Sequence, residues 1–121
     1  MITRSLTHTI SIALITLCTQ SAFSETLTSQ ESDRIAKEDI AATQVLAEVC
    51  PGLIGNTPAF QTKIASLTQT LLKDFSKPTT LTQLQQDPEY QTVLKEAQTS
   101  AKEVDQAEHK AVCADVLELP H

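Results

Sequence analysis

Three side chains near the C-terminus of the chain have types and a spacing that could bind a metal ion. Asp105, His109 and Cys113 recur every four residues, so a helix would carry them on one side. Carboxylate, imidazole and thiolate groups are all metal ligands. If Cys113 forms a disulfide, however, the remaining Asp–His pair supplies too few ligands for a tight site. We therefore predict no metal and no cofactor, and expect the ring of His109 to pack beside the disulfide.

The partner for that disulfide is Cys50, which leaves Cys18 as the third cysteine of the chain. Cys18 belongs to a predicted leader, described below, and an even pair in a small exported chain is typical of a disulfide. Closing a loop of 63 residues would stabilise the fold by roughly 4 kcal/mol in the chain-entropy model. The alternative is a pair of catalytic or metal-binding thiols. It is disfavoured because the sequence has no C-x-x-C motif.

The sequence lacks the common catalytic motifs. Nucleophilic catalysis needs a Ser or Cys beside a base and a third, orienting group. There is no G-x-S-x-G elbow, no H-E-x-x-H helix and no glycine-rich phosphate loop. Neighbouring carboxylates such as Glu103 and Asp105 fall on polar helix faces. We predict no catalytic residues and conclude that the protein is not an enzyme.

The first 24 residues have the layout of a secretory signal peptide. Arg4 supplies a positive charge, Ile10 to Cys18 form a short apolar run, and Ala22-Phe23-Ser24 ends in small residues. The run is too short to span about 30 Å of hydrocarbon. We predict cleavage before Glu25, a periplasmic or secreted location, and no membrane attachment after cleavage. Residues 25–121 then form a single helical domain.

The mature chain is acidic. It loses Arg4 but no acid, which leaves eight Lys and Arg against fifteen Asp and Glu and a net charge of −7. Such a chain repels phosphate backbones, so we predict no nucleic-acid binding. The charge suits a soluble monomer, and it would also suit a basic protein partner.

Hydrophobic periodicity indicates helices throughout. Helix 1 is predicted from Ser29 or Ser32 to Val49, with a capping box at its start, and helix 2 begins at Pro58. A short helical turn covers Leu81 to Gln86. The apolar stripe of helix 1 comprises Ile35, Ala42, Val45, Leu46, Val49 and Cys50, and that of helix 2 comprises Phe60, Ile64, Leu67, Leu71 and Phe75.

The last helix is predicted from Pro88 to about Leu117, and its apolar stripe changes position half-way along. Either the helix bends near Asp105 to Glu108, or its second half packs against a different neighbour, and the cysteines favour the second explanation. The predicted fold is a small all-α, up-down-up three-helix bundle with an extra helical turn. In that order helix 1 and the last helix are parallel, so Cys50 and Cys113 meet at one end.

The segment from Pro51 to Asn56 interrupts the helices and places Leu53 and Ile54 between two glycines. One interpretation is a tight connection that tucks Leu53 over the end of the bundle. The other is a small apolar tip, exposed for contact with a partner. We keep Leu53 and Ile54 as candidate partner-contact residues.

Three stretches of the chain resemble a known family. They are AATQVLAEVCP (Ala41 to Pro51), DPEY (Asp87 to Tyr90) and VDQAEHKAVC (Val104 to Cys113). Together they resemble a family of short, uncharacterised exported proteins of Gram-negative bacteria, a domain of unknown function. The resemblance implies a periplasmic or secreted location and supplies no functional residue.

Two functions fit these observations. The first is a protein-binding module with one partner, similar to the periplasmic immunity proteins or to envelope accessory proteins. The second is an acid or stress chaperone, whose carboxylates would lose their charge below about pH 4 and loosen the fold. We favour the binding module.

Overall fold

The computed structural model describes residues 26–120, and the predicted signal peptide lies outside them. The helices are α1 (Ser29–Ile54), α2 (Pro58–Leu71), α3 (Leu81–Gln85), α4 (Pro88–Ala101) and α5 (Gln106–Glu118), and a 3-10 turn, Leu72–Asp74, follows α2. The all-α prediction is confirmed. The three-helix bundle is wrong, because the predicted last helix is two helices. None of the helices in this range is both long and apolar enough to cross a membrane.

Most of the packing is organised around α1, which contacts α2, α4 and α5. Near the start of α1, the ammonium of Lys37 donates to the carboxylate of Glu89 at 2.7 Å. Eleven residues later, Glu48 accepts hydrogen bonds from Gln98. Since both pairs advance in the same direction along the two helices, α4 runs parallel to α1. This is the relative direction that the predicted order required.

Helix starts agree with the sequence signals. The hydroxyl of Thr28 accepts the Glu31 N–H at 3.2 Å, and the Glu31 carboxylate accepts the Thr28 N–H at 2.8 Å, which completes the predicted capping box. The side chain of Thr57 caps α2, and that of Asp87 accepts the Glu89 N–H at 2.9 Å to cap α4. These short-range signals act within one helical turn, so the sequence alone specifies them.

The end of α1 differs from the prediction. The helix continues through Pro51 to Ile54, and the Gly55 N–H donates to the Pro51 carbonyl at 3.2 Å. A proline inside a helix costs about 3 kcal/mol. Leu53 and Ile54 offset this cost because both pack against the hydrophobic core around the disulfide. The chain leaves the helix at Gly55, whose φ of +89° suits glycine.

The predicted last helix is interrupted at residues 102–105. The N–H groups of Lys102, Glu103 and Val104 bond to carbonyls three residues back, so the end of α4 tightens into a 3-10 turn. Asp105 is then extended and precedes α5. The break lies just before the predicted bend. Beyond it the chain also reaches a new neighbour, because α5 contacts α2 as well as α1.

Two hydrophobic clusters fill the interior, one on each half of α1. The first, which we call the disulfide cluster, contains Cys50, Phe60, Ile64, Cys113 and Val116. The second, which we call the tyrosine cluster, contains Ile40, Ala41, Leu84 and Tyr90. Half-buried leucines and alanines extend both clusters.

The buried face of α1 is rotated relative to the predicted stripe. Val45 and Cys50 are buried as predicted, whereas Ala42 is exposed and Ile35 is 43% exposed. Ile40 and Ala41 are buried in their place. The reason is tertiary, since Ala41 lies beneath side chains of α3 and α4 that a helical period within α1 does not reveal.

Candidate functional site

The three residues that could have bound a metal have separate roles. Cys113 is bonded to Cys50, and Asp105 precedes α5 without a side-chain capping bond. His109 is half-buried and lines a groove between α1 and the α4–α5 connection. Within residues 26–120, no group of three or more His, Cys, Asp and Glu side chains could hold a metal ion.

The predicted disulfide between Cys50 and Cys113 is confirmed, with the two Cα atoms 5.5 Å apart. Both cysteines are fully buried. Along α5, only the side chains of His109, Cys113 and Val116 are buried or half-buried. The disulfide therefore holds α5 beside the last turns of α1, together with the packing of Val116 in the disulfide cluster.

An open groove of about 580 Å³ lies between the second half of α1 and the residues that join α4 to α5. We call it the junction groove. Its lining includes Ala101 and Lys102, where α4 ends, and His109 of α5. The apolar lining of the groove comprises Val45, Val49, Leu53, Ala101 and Val104.

The junction groove also holds an oriented carboxylate. The side-chain amide of Gln98 donates to both oxygens of Glu48, at 3.1 and 3.2 Å. Gln98 is neutral, so it orients the carboxylate without compensating its charge. The ion pairs within residues 26–120 join other side chains, and Lys102, which lines the same groove, forms none with Glu48.

The candidate contact residues Leu53 and Ile54 are both half-buried. Both pack against the disulfide cluster, and Leu53 also lines the junction groove. The structure therefore brings Leu53 and His109 to one surface, whereas Ile54 lies outside the lining of the groove. Sequence reasoning missed Glu48 and Gln98, which are fifty residues apart. The parallel order of the two helices was the signal that could have paired them.

Polar side chains tie the other end of α1 to its neighbours. The ammonium of Lys37 lies 2.8 Å from a carboxylate oxygen of Asp87 and 2.7 Å from one of Glu89. The carboxylate of Asp33 accepts both the N–H and the hydroxyl of Ser76, at 2.7 Å each. Each of these ties is strongest when the acidic side chain is ionised, because charge-assisted hydrogen bonds are stronger than neutral ones.

These contacts shift the pKa values of the groups involved. Hydrogen bonds from Ser76 hold the pKa of Asp33 below its usual value. The hydrogen bond from Lys37 lowers the pKa of Asp87, against a smaller opposing effect of burial. Burial acts to lower the pKa of Lys37, but its bonds to Asp87 and Glu89 together outweigh burial and raise it.

A family match covers most of the described chain. The model of a domain of unknown function, DUF7944, matches residues 36–116. The chain belongs to this family. The matched range of the DUF7944 domain contains both cysteines and the residues that line the junction groove. No curated protein and no solved structure matches the chain.

Proposed function

We propose that this DUF7944 domain is an exported protein-binding module, of the inhibitor, immunity-like or envelope-accessory kind, that acts as a monomer on one basic protein. The observation that carries the proposal is the junction groove, an apolar surface beside the disulfide with an uncompensated carboxylate at its side. An apolar centre with polar surroundings is the usual anatomy of a protein interface. Leu53 and Val104 would supply the apolar contacts, and Ile54 would support Leu53 from the disulfide cluster.

Charge and compartment support the same proposal. The mature chain carries a net charge of −7, which would steer a basic partner towards it. The leader predicted from Arg4 and the apolar run after it would deliver the domain to an oxidising compartment, where the disulfide persists. A disulfide-fixed groove would lose little conformational freedom on binding, and this favours affinity.

Two exposed valines offer a matched test. Val104 lines the groove and is 37% exposed, whereas Val112 lies on α5 outside the lining and is 40% exposed. We would express the full chain with a C-terminal tag in its native cells and compare Val104→Asp with Val112→Asp by co-purification. We expect one basic partner to remain with the wild type and Val112→Asp and to be lost from Val104→Asp. Equal retention by both variants would overturn the groove as the contact surface.

A second candidate function, an acid chaperone, is favoured by the polar ties that Asp33 and Lys37 form in the N-terminal half of α1. Protonation of Asp33 and Asp87 would weaken those ties, while the disulfide would keep the opposite end closed. The tyrosine cluster would then supply apolar surface for unfolded proteins. The test is suppression of aggregation of several unrelated proteins near pH 3. A domain that suppresses none of them, while still binding one partner at neutral pH, would exclude this function.

A further inference from the structure

The acceptor groups beside the junction groove form a defined set. The amide nitrogen of Gln98 lies at nearly equal distances from both Glu48 oxygens, which fixes the orientation of the carboxylate. Glu48 is exposed, so each of its oxygens keeps room for a further donor. Within the described residues the side-chain carbonyl of Gln98 accepts no hydrogen bond. Two carboxylate oxygens and the amide oxygen of Gln98 therefore form the acceptor set, and the carboxylate makes no ion pair within the described residues.

An apolar path runs along α1 from this acceptor set. Val45, Val49 and Leu53 follow one another every four residues, so they lie in a row on one side of the helix. With a rise of about 1.5 Å per residue, the row is roughly 12 Å long. This is long enough for the aliphatic stem of one long side chain and an apolar neighbour.

The oriented carboxylate favours a cationic ligand. Glu48 and Lys102 both line the groove, and they form no ion pair with each other. Gln98 instead holds the Glu48 carboxylate by hydrogen bonds to both of its oxygens. An acidic ligand would meet Glu48 unpaired, whereas a cation would compensate it. His109, on α5, also lines the groove.

We infer that the junction groove receives an arginine side chain of the partner, an inference that rests on the proposed binding function. The planar guanidinium presents five N–H donors in a fixed fork, which suits several neighbouring acceptors better than the point charge of a lysine does. Its donors would bond to Glu48 and to the side-chain carbonyl of Gln98. Its stem and an adjacent apolar residue would lie on Val49 and Leu53.

The test uses short peptides and the mature domain, residues 25–121, labelled with ¹⁵N for NMR. The probes are two end-blocked tripeptides, leucine–arginine–leucine and the same peptide with uncharged citrulline in place of arginine. We expect the arginine peptide to bind about tenfold more tightly, as a charge-assisted hydrogen bond would require. It should shift the signals of Glu48, Val104 and the side-chain amide of Gln98.

Two variants isolate the carboxylate. Glu48→Gln should lower the affinity for the arginine peptide to that for the citrulline peptide. Glu96→Gln removes the same charge from an exposed position of α4 outside the groove, and it should leave the affinity within about twofold. Equal effects of the two variants, or equal binding of the two peptides at the groove, would overturn the arginine inference and leave the binding function standing. Peptides that shift no groove signal would also overturn it, and the Val104 and Val112 co-purification would then decide the binding function separately.

Discussion

Tyr90 is the residue at which packing and polarity conflict most clearly. Its side chain is 1% exposed within the tyrosine cluster, and within the described residues its hydroxyl has no hydrogen-bond partner. Burial, followed by the charge of Glu48, raises the pKa of this phenol. An unpaired buried hydroxyl costs free energy, so the ring and not the hydroxyl explains why a tyrosine is stable here.

This conflict predicts opposite effects for two substitutions. Tyr90→Phe removes the unpaired hydroxyl and should leave the free energy of unfolding unchanged or raise it by up to about 1 kcal/mol. Tyr90→Ala removes the ring and should lower it by about 3 kcal/mol or more. Urea titration at neutral pH measures both values. A loss of more than about 1 kcal/mol in Tyr90→Phe would contradict the unpaired hydroxyl.

Asp87 combines two roles, and two substitutions separate them. Its carboxylate caps α4 and binds Lys37. Asp87→Ala should cost about 1 kcal/mol for the cap, in addition to the lost ion pair. Asp87→Asn keeps a capping acceptor and loses only the charge, so its loss should be smaller. Equal losses in urea titration would show that the cap contributes nothing.

At the scale of the helices, the sequence predicted the first residues of most helices well and the last residues poorly. The caps at Thr28, Thr57 and Asp87 were predicted because each acts within a few residues. Pro51 misled the prediction because packing of Leu53 and Ile54 outweighs a local preference. Neither glycine nor proline marks the break after Ala101, and only the changed apolar stripe indicated it.

The contacts of acidic side chains near the start of α1 make the stability of the folded helices depend on pH. Asp33 and Asp87 have pKa values below their usual 3.8 in the folded protein, and Glu31 lies below its usual 4.5. The folded state therefore binds fewer protons than the unfolded state around these values. The stabilisation is complete above the usual pKa values and is lost as the pH falls through the lowered ones.

We expect the urea midpoint to fall steadily below about pH 4.5. Amide protection of α3 and of the start of α4 should fall before that of the cysteine-bearing part of α5. Asp33→Asn should reduce the pH dependence, because it removes one group with a lowered pKa. Uniform loss of protection along the chain, with the same pH dependence in Asp33→Asn as in the wild type, would show that these acidic contacts do not set the acid stability. The raised pKa of Lys37 predicts a second loss above its usual 10.5.

In the molecule as a whole, the disulfide holds the C-terminal half of α1, and ion pairs hold its N-terminal half. Reducing the disulfide should lower the free energy of unfolding by roughly 4 kcal/mol at neutral pH, since the closed loop spans 63 residues. Because α5 has few other anchors, its amide protons should lose protection first. Paired Cys50→Ala and Cys113→Ala substitutions provide the comparison without reductant. A loss below about 1 kcal/mol would show that packing alone holds α5.

The arrangement of the whole molecule explains why the sequence could not reveal most of the candidate site. The cysteine count predicted the disulfide, and Leu53 was singled out as a contact residue. The junction groove depends on α1, α4 and the connection to α5 meeting in space, and no local pattern encodes that meeting. Glu48 is one of fifteen acidic residues in the chain, and only its contact with Gln98 distinguishes it.

Photo-crosslinking in the native cells tests most directly the proposal that the junction groove binds a basic protein. A photoreactive amino acid would replace Val104 in the full chain, and Val112 would serve as the control position. We predict one discrete crosslinked adduct from position 104, with an arginine-bearing segment of a basic protein, and its loss when Glu48→Gln is added. No adduct at position 104, or the same adducts from position 112, would contradict the claim.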